Sequence, residues 1–179
     1  NWGSGMYLDS SNPILTHVTI SGNMAESGGG GGGMFLGDSN PILTHVTISG
    51  NTAGYGGGMY LTGSNPTITH VTISENTAGH GGGIRLFNSN LTLTNSIVWS
   101  NSPQSIYVIG NEQPIITYSD TEGDWEGEGN IDVDPLFTDP ENGDYTLQES
   151  SPCIDAGTDD TNVDGFEDIT DYFGSAPDM

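Results

Sequence analysis

The chain has 179 residues, enough for one ordinary domain, and carries 24 acidic residues against a single basic one, Arg85, for a formal net charge of −23. Neutralising phosphate takes clustered Lys and Arg, so nucleic acid is excluded as a partner and a bare anionic membrane is disfavoured. One cysteine, Cys153, precludes an intrachain disulfide, and no run of the roughly 18 apolar residues that a membrane span needs is present, so no membrane insertion is expected.

Composition changes along the chain. Of the 28 glycines, 20 precede Ile84, whereas 20 of the 24 acids lie in the last 79 residues. This divides the chain into a nearly neutral repetitive part, 1–120, and an acidic part, 121–179, expected to cap it by packing on its last unit. The opening Asn-Trp-Gly-Ser-Gly reads as the inside of a repeat, so a trimmed segment of a longer precursor is expected.

In chain order, Gly5-Met6-Tyr7-Leu8 comes first, followed by NPILTHVTISGN from Asn12 to Asn23. Gly33-Met34-Phe35-Leu36 then precedes the same twelve letters from Asn40 to Asn51. The pattern returns with Gly58-Met59-Tyr60-Leu61 and NPTITHVTISEN from Asn65 to Asn76. A fourth copy pairs Gly83-Ile84-Arg85-Leu86 with NLTLTNSIVWSN from Asn90 to Asn101. A weaker fifth runs through Ile106-Tyr107-Val108-Ile109 and Pro114-Ile115-Ile116-Thr117-Tyr118. Alternation and β-branched content predict short strands in each block, with Met6, Leu8, Leu15, Val18 and Ile20 and their counterparts facing inward and a bend near Thr16-His17. A unit of about 25 residues cannot bury its own apolar face, but stacked on its copies it forms a continuous core. The predicted fold is all-β, a right-handed parallel β-helix of about five coils with an irregular acidic C-terminal cap.

Every repeat position then becomes a column. Asn23, Asn51, Asn76 and Asn101 form an asparagine column at a turn, where stacked amides can bond to each other and to backbone. His17, His45 and His70 form a second column, continued by Asn95 and Tyr118. Side chains in parallel at strand spacing do not converge as zinc ligands must, so packing is the expected role. Tyr7, Phe35, Tyr60 and Tyr107 form an outward aromatic column able to stack on sugar rings. Arg85, in that same column, is expected to be a solvated surface residue, and His80 to be idle in its glycine loop.

The stacked G-G-G-Φ-x-L and N-P-x-Φ-T-x-V-T-I-S-x-N blocks resemble the pectin-lyase-like right-handed β-helix repeats of bacterial secreted and surface proteins. The tail is similar to that family's closing module, through Gly127-Glu128-Gly129-Asn130-Ile131-Asp132-Val133-Asp134-Pro135, Asn142-Gly143-Asp144-Tyr145 and Ser151-Pro152-Cys153-Ile154-Asp155-Ala156-Gly157. The resemblance implies export and an extracellular or cell-surface location. It does not imply one activity, because the fold hosts lyases, hydrolases, adhesins and inert stalks.

A lyase needs a base beside further cations, and Arg85 stands alone. A hydrolase needs paired carboxylates, and the repeats offer only the scattered Asp9, Glu26, Asp38 and Glu75. The strongest chemical motif is Asp160-x-Asn162-x-Asp164-Gly165-x-x-Asp168-x-x-Asp171, which has the spacing of a calcium loop, with Asp in place of the usual final Glu. The expected function is therefore a non-enzymatic structural or adhesive β-helix for surface display or an extracellular fibre, with Ca2+ in its tail. End-to-end self-association through an uncapped first coil is also expected. The alternative is a β-helix that binds or cleaves carbohydrate.

Overall fold

A computed structural model describes residues 2–26, 28–161 and 174–179. Each coil contributes three short strands. They are Met6–Asp9 (β1), Ile14–Thr16 (β2) and Thr19–Ser21 (β3) in the first coil, and Met34–Gly37 (β4), Ile42–Thr44 (β5) and Thr47–Ser49 (β6) in the second. The third holds Met59–Thr62 (β7), Thr67–Thr69 (β8) and Thr72–Ser74 (β9). The fourth holds Ile84–Phe87 (β10), Thr92–Thr94 (β11) and Ile97–Trp99 (β12), and the fifth Ile106–Ile109 (β13), Ile115–Thr117 (β14) and Asp120–Thr121 (β15). Equivalent strands stack in parallel into three five-stranded sheets, which makes a β-helix of five coils.

The register follows the repeat. Met6 lies beside Met34, Met34 beside Met59, Met59 beside Ile84 and Ile84 beside Ile106. Because side chains alternate across a strand, in-register stacking turns each inward position into an apolar column. Met34, Leu36, Leu43, Val46 and Ile48 are fully buried, as are Met59, Leu61 and Ile68 one coil later. In the first coil Met6, Leu8, Leu15 and Val18 pack on this core but are only partly buried.

Two backbone features turn the corners. Gly56 has φ +58, and a Cβ there would stand 2.3 Å from the Met59 carbonyl oxygen, so only glycine fits. The bend between the second and third strands of each coil is made instead by left-handed non-glycine residues: His17, His45, His70, Asn95 and Tyr118, at φ 55, 53, 51, 48 and 46.

The acidic tail does two things rather than simply lying on the last coil. Trp125 packs against the main core at the end of the stack, and Ile131 bridges to Asp120. The chain then runs along the flank of the third sheet (β3, β6, β9, β12, β15). There an antiparallel pair, Phe137–Asp139 (β16) and Asp144–Leu147 (β17), forms with Cys153 and Met179 a second apolar cluster on Ile97 and Trp99. The sequence missed this because Ile97 and Trp99 break the Thr and Ser pattern of the outward columns, and an apolar residue on an outward position signals a covering segment. Among the described residues no helix is long and apolar enough to cross a membrane.

Candidate functional site

The asparagine column is a continuous hydrogen-bonded ladder. The backbone N–H and the Nδ2 of Asn23 donate to Asn51 Oδ1 at 2.9 and 3.0 Å, and those of Asn51 donate to Asn76 Oδ1 at 3.0 and 2.9 Å. Asn76 donates in the same way to Asn101 Oδ1, both at 3.0 Å. Nδ2 also reaches backward, from Asn51 to Ile20 O, from Asn76 to Ile48 O and from Asn101 to Ile73 O. Asn51 and Asn76 are fully buried. The Asn51 and Asn76 amides therefore each bind the coil before and the coil after, satisfying corner backbone groups that the strands leave open.

Sequence reasoning missed three further ladders. Ser39 Oγ accepts from Ser11 N–H at 3.0 Å, Ser64 Oγ from Ser39 N–H at 2.9 Å, and Ser89 Oγ from Ser64 N–H at 3.0 Å. Beside them the Asn12, Asn40 and Asn65 carbonyls accept from the N–H of Asn40, Asn65 and Asn90. Ser96 and Ser119 do the same for Val71 and Ser96. The recurring Ser-Asn before each proline was the available signal.

The histidine column is a stack of rings, with centroids 4.9 Å apart from His17 to His45 and 5.0 Å from His45 to His70. Burial, then the neighbouring His17, lowers the pKa of His45. Burial and His45 push His70 down to about 4, against a small raising effect from Asp178. These two rings are therefore neutral at pH 7. One coil on, Asn95 replaces histidine where the tail docks. Its Nδ2 donates to Thr158 O at 2.7 Å, and Thr158 N–H donates to its Oδ1 at 2.8 Å. Among the described residues no group of three or more His, Cys, Asp or Glu is arranged to hold a metal ion.

The aromatic column requires correction. Tyr7 is exposed and Tyr107 half-buried, but Phe35 and Tyr60 are only 8% and 9% exposed. Trp2 lies over both, with ring centroids 5.2 and 5.5 Å away. It fits because Gly30 leaves the space open, a Cβ there meeting the Trp2 ring at 2.8 Å. Nor is Arg85 a free surface cation. Its guanidinium lies 4.0 Å from the Tyr55 ring centroid and 5.1 Å from that of Tyr60, with Nε and Nη1 buried and without hydrogen-bond partners. His80 is not idle, since it stacks between Tyr55 and Tyr107. The column is thus the floor of a two-layer aromatic plate, and its open faces are those of Tyr7, His80 and Tyr107.

Under the tail, Asp120 is fully buried. It accepts from Cys153 Sγ at 3.2 Å and from Val133 N–H at 3.3 Å. Burial raises its pKa to about 6 despite these bonds, with Asp132 and Asp134 adding to the rise. Burial, then the charge of Asp120, pushes the Cys153 thiol up, so it is protonated and unreactive at neutral pH. Of the calcium-loop residues, Asn162, Asp164, Asp168 and Asp171 lie outside the described residues. Asp160 stands just before them, its N–H donating to Thr158 Oγ1 at 3.2 Å. Of the scattered acids, Asp9, Glu26 and Asp38 are exposed, and Glu75 accepts from the Tyr145 hydroxyl at 2.8 Å.

A family model described as a right handed beta helix region matches residues 1–121. No curated protein and no solved structure matches the chain.

Proposed function

Because the chain belongs to the right-handed β-helix family, a fold that specifies no single activity, we propose that it is a non-enzymatic structural or adhesive module, exported and used in surface display or an extracellular fibre. One observation carries this reading: the polar residues that recur in every repeat bond coil to coil. The Asn23 to Asn101 amides, the Ser39 to Ser89 hydroxyls and the Asn12 to Asn65 side-chain carbonyls all bond to the backbone or side chain of an adjacent coil. The repeat was multiplied together with its fasteners, as a spacer requires. End-to-end self-association belongs to this reading, with Met6, Leu8, Leu15 and Val18 as the partly buried apolar positions that a further coil or a second copy would cover. Calcium at Asp160, Asn162, Asp164, Asp168 and Asp171 belongs to this reading as a tether for the acidic tail. The test is release of reducing ends or unsaturated uronates from a panel of plant, bacterial and animal polysaccharides. None is expected, and saturable release that disappears on unfolding the protein overturns the reading.

The second reading, carbohydrate binding, rests on the stacked plate. Tyr55, His80 and Tyr107 form one continuous row beside Arg85. Its open faces suit sugar rings. A glycan array with Tyr107→Ala as control separates the two readings.

A further inference from the structure

A cleft of about 300 Å³ opens between the flank of the third sheet and the tail, lined by Ser74, Glu75, Trp99, Asp134, Phe137 and Gln148 among others. Neither reading above uses it. Ser74 is 1% exposed, and its hydroxyl is buried without any hydrogen-bond partner. A buried hydroxyl left unpaired is costly, and its position on the cleft wall points to a ligand atom that completes it.

The chemistry of the wall selects that ligand. Glu75 Oε2 accepts from Tyr145 and Asp134 Oδ1 from Leu136 N–H, which leaves one oxygen of each carboxylate without a protein donor among the described residues. Gln148 Nε2 donates one of its two N–H groups to Phe137 O at 2.9 Å. The wall thus offers the remaining carboxylate oxygens of Glu75 and Asp134 as acceptors, beside an indole face. It belongs to a chain of net charge −23 without a lysine, whose field concentrates cations. A primary ammonium has three donors and no acceptor, and it is drawn to an indole face.

We propose that this cleft binds a primary ammonium group, through Ser74 Oγ, Glu75 and Asp134 with Trp99 as the apolar wall. The group is supplied either by a free polyamine or by a lysine side chain of a partner protein.

Titration of the full chain with n-butylammonium chloride at fixed ionic strength tests this, read by the Trp99 indole N–H resonance, which is assigned by its absence from Trp99→Phe. A saturable shift is expected, absent with n-butanol. It should weaken about tenfold or more in Glu75→Gln/Asp134→Asn, whose amides keep the size of the side chains and an acceptor oxygen. Ser74→Ala should weaken it too without lowering the melting temperature, because its hydroxyl has no partner to lose. Tighter binding of spermidine than of a tetralysine peptide identifies a free polyamine, and the reverse identifies a partner's lysine. No shift, an equal shift with butanol or in the double variant, or the same shift with calcium chloride alone overturns the proposal.

Discussion

Asn76→Ala perturbs the ladder at its most enclosed rung. The wild-type amide accepts from the Asn51 N–H and Nδ2 and donates to Asn101 Oδ1, Ile48 O and Ser74 O. Truncation leaves the buried Asn51 N–H and Nδ2 without that acceptor and removes a donor from two backbone carbonyls. An unsatisfied buried polar group costs about 1–3 kcal/mol, and part of this is recovered as neighbours relax, so a loss of about 3–4 kcal/mol is expected. Asn23→Ala removes only a donor, to Asn51 Oδ1 and Ser21 O, at a half-buried rung, orphans no N–H, and should cost about 1 kcal/mol. Urea unfolding followed by far-ultraviolet circular dichroism gives both values from midpoints and slopes. If the two variants differ by less than about 1 kcal/mol, the ladder does not hold the coils together and the argument fails.

Further outcomes follow from the corners, the titrating groups and the tail. Gly56→Ala should destabilise by more than about 2 kcal/mol, because a left-handed φ is combined with a 2.3 Å clash. Gly22→Ala, with φ +66 and nothing within 4 Å, should cost only about 1 kcal/mol, and equal melting shifts contradict this. The folded pKa of His70 lies below its unfolded value, so its contribution is full above about pH 6.5 and is lost as pH falls to about 4; His45 acts in the same direction. The folded pKa of Asp120 is raised, so its contribution is full below about pH 3.8 and is lost as pH rises through about 6. The two slopes oppose each other in one window. Asp120→Asn should therefore make stability rise more steeply from pH 4 to 6.5 than in the wild type, and His70→Asn should flatten or invert the rise; unchanged profiles refute both assignments. Calcium should raise the melting temperature and a chelator lower it, with both effects absent in Asp164→Asn/Asp168→Asn; an unchanged wild-type midpoint excludes the calcium tether.

The repeat made the coil legible. Twelve identical letters at Asn12 and Asn40 imply identical columns, and the columns imply which faces of Met34, Leu43 and Ile48 are inside. The asparagine and histidine positions were legible for the same reason. Contacts that the repeat does not encode were not legible. Trp2 reaches Phe35 and Tyr60 because Gly30 breaks the Tyr55 and His80 column, and Arg85 lies on Tyr55 from a neighbouring position. Both depend on a single departure from the pattern, whereas column reasoning averages over copies. The flank-bound tail was hidden because its docking residues, Asn95, Ile97 and Trp99, are substitutions within a degenerate copy, each of which is unremarkable alone.

The central claim is that the repeated polar residues bind coil to coil, and residue-resolved amide hydrogen exchange tests it most directly. The N–H groups of Ser39, Asn51, Ser64, Val71, Asn76 and Ser96 each donate to a side-chain oxygen of the following coil. The account predicts that these six amides exchange only through global unfolding, as slowly as the amides of Ile48 and Ile73 in the strands. Exchange of the six at exposed-loop rates, with the strand amides still protected, would show that the ladders are not fasteners and would contradict it.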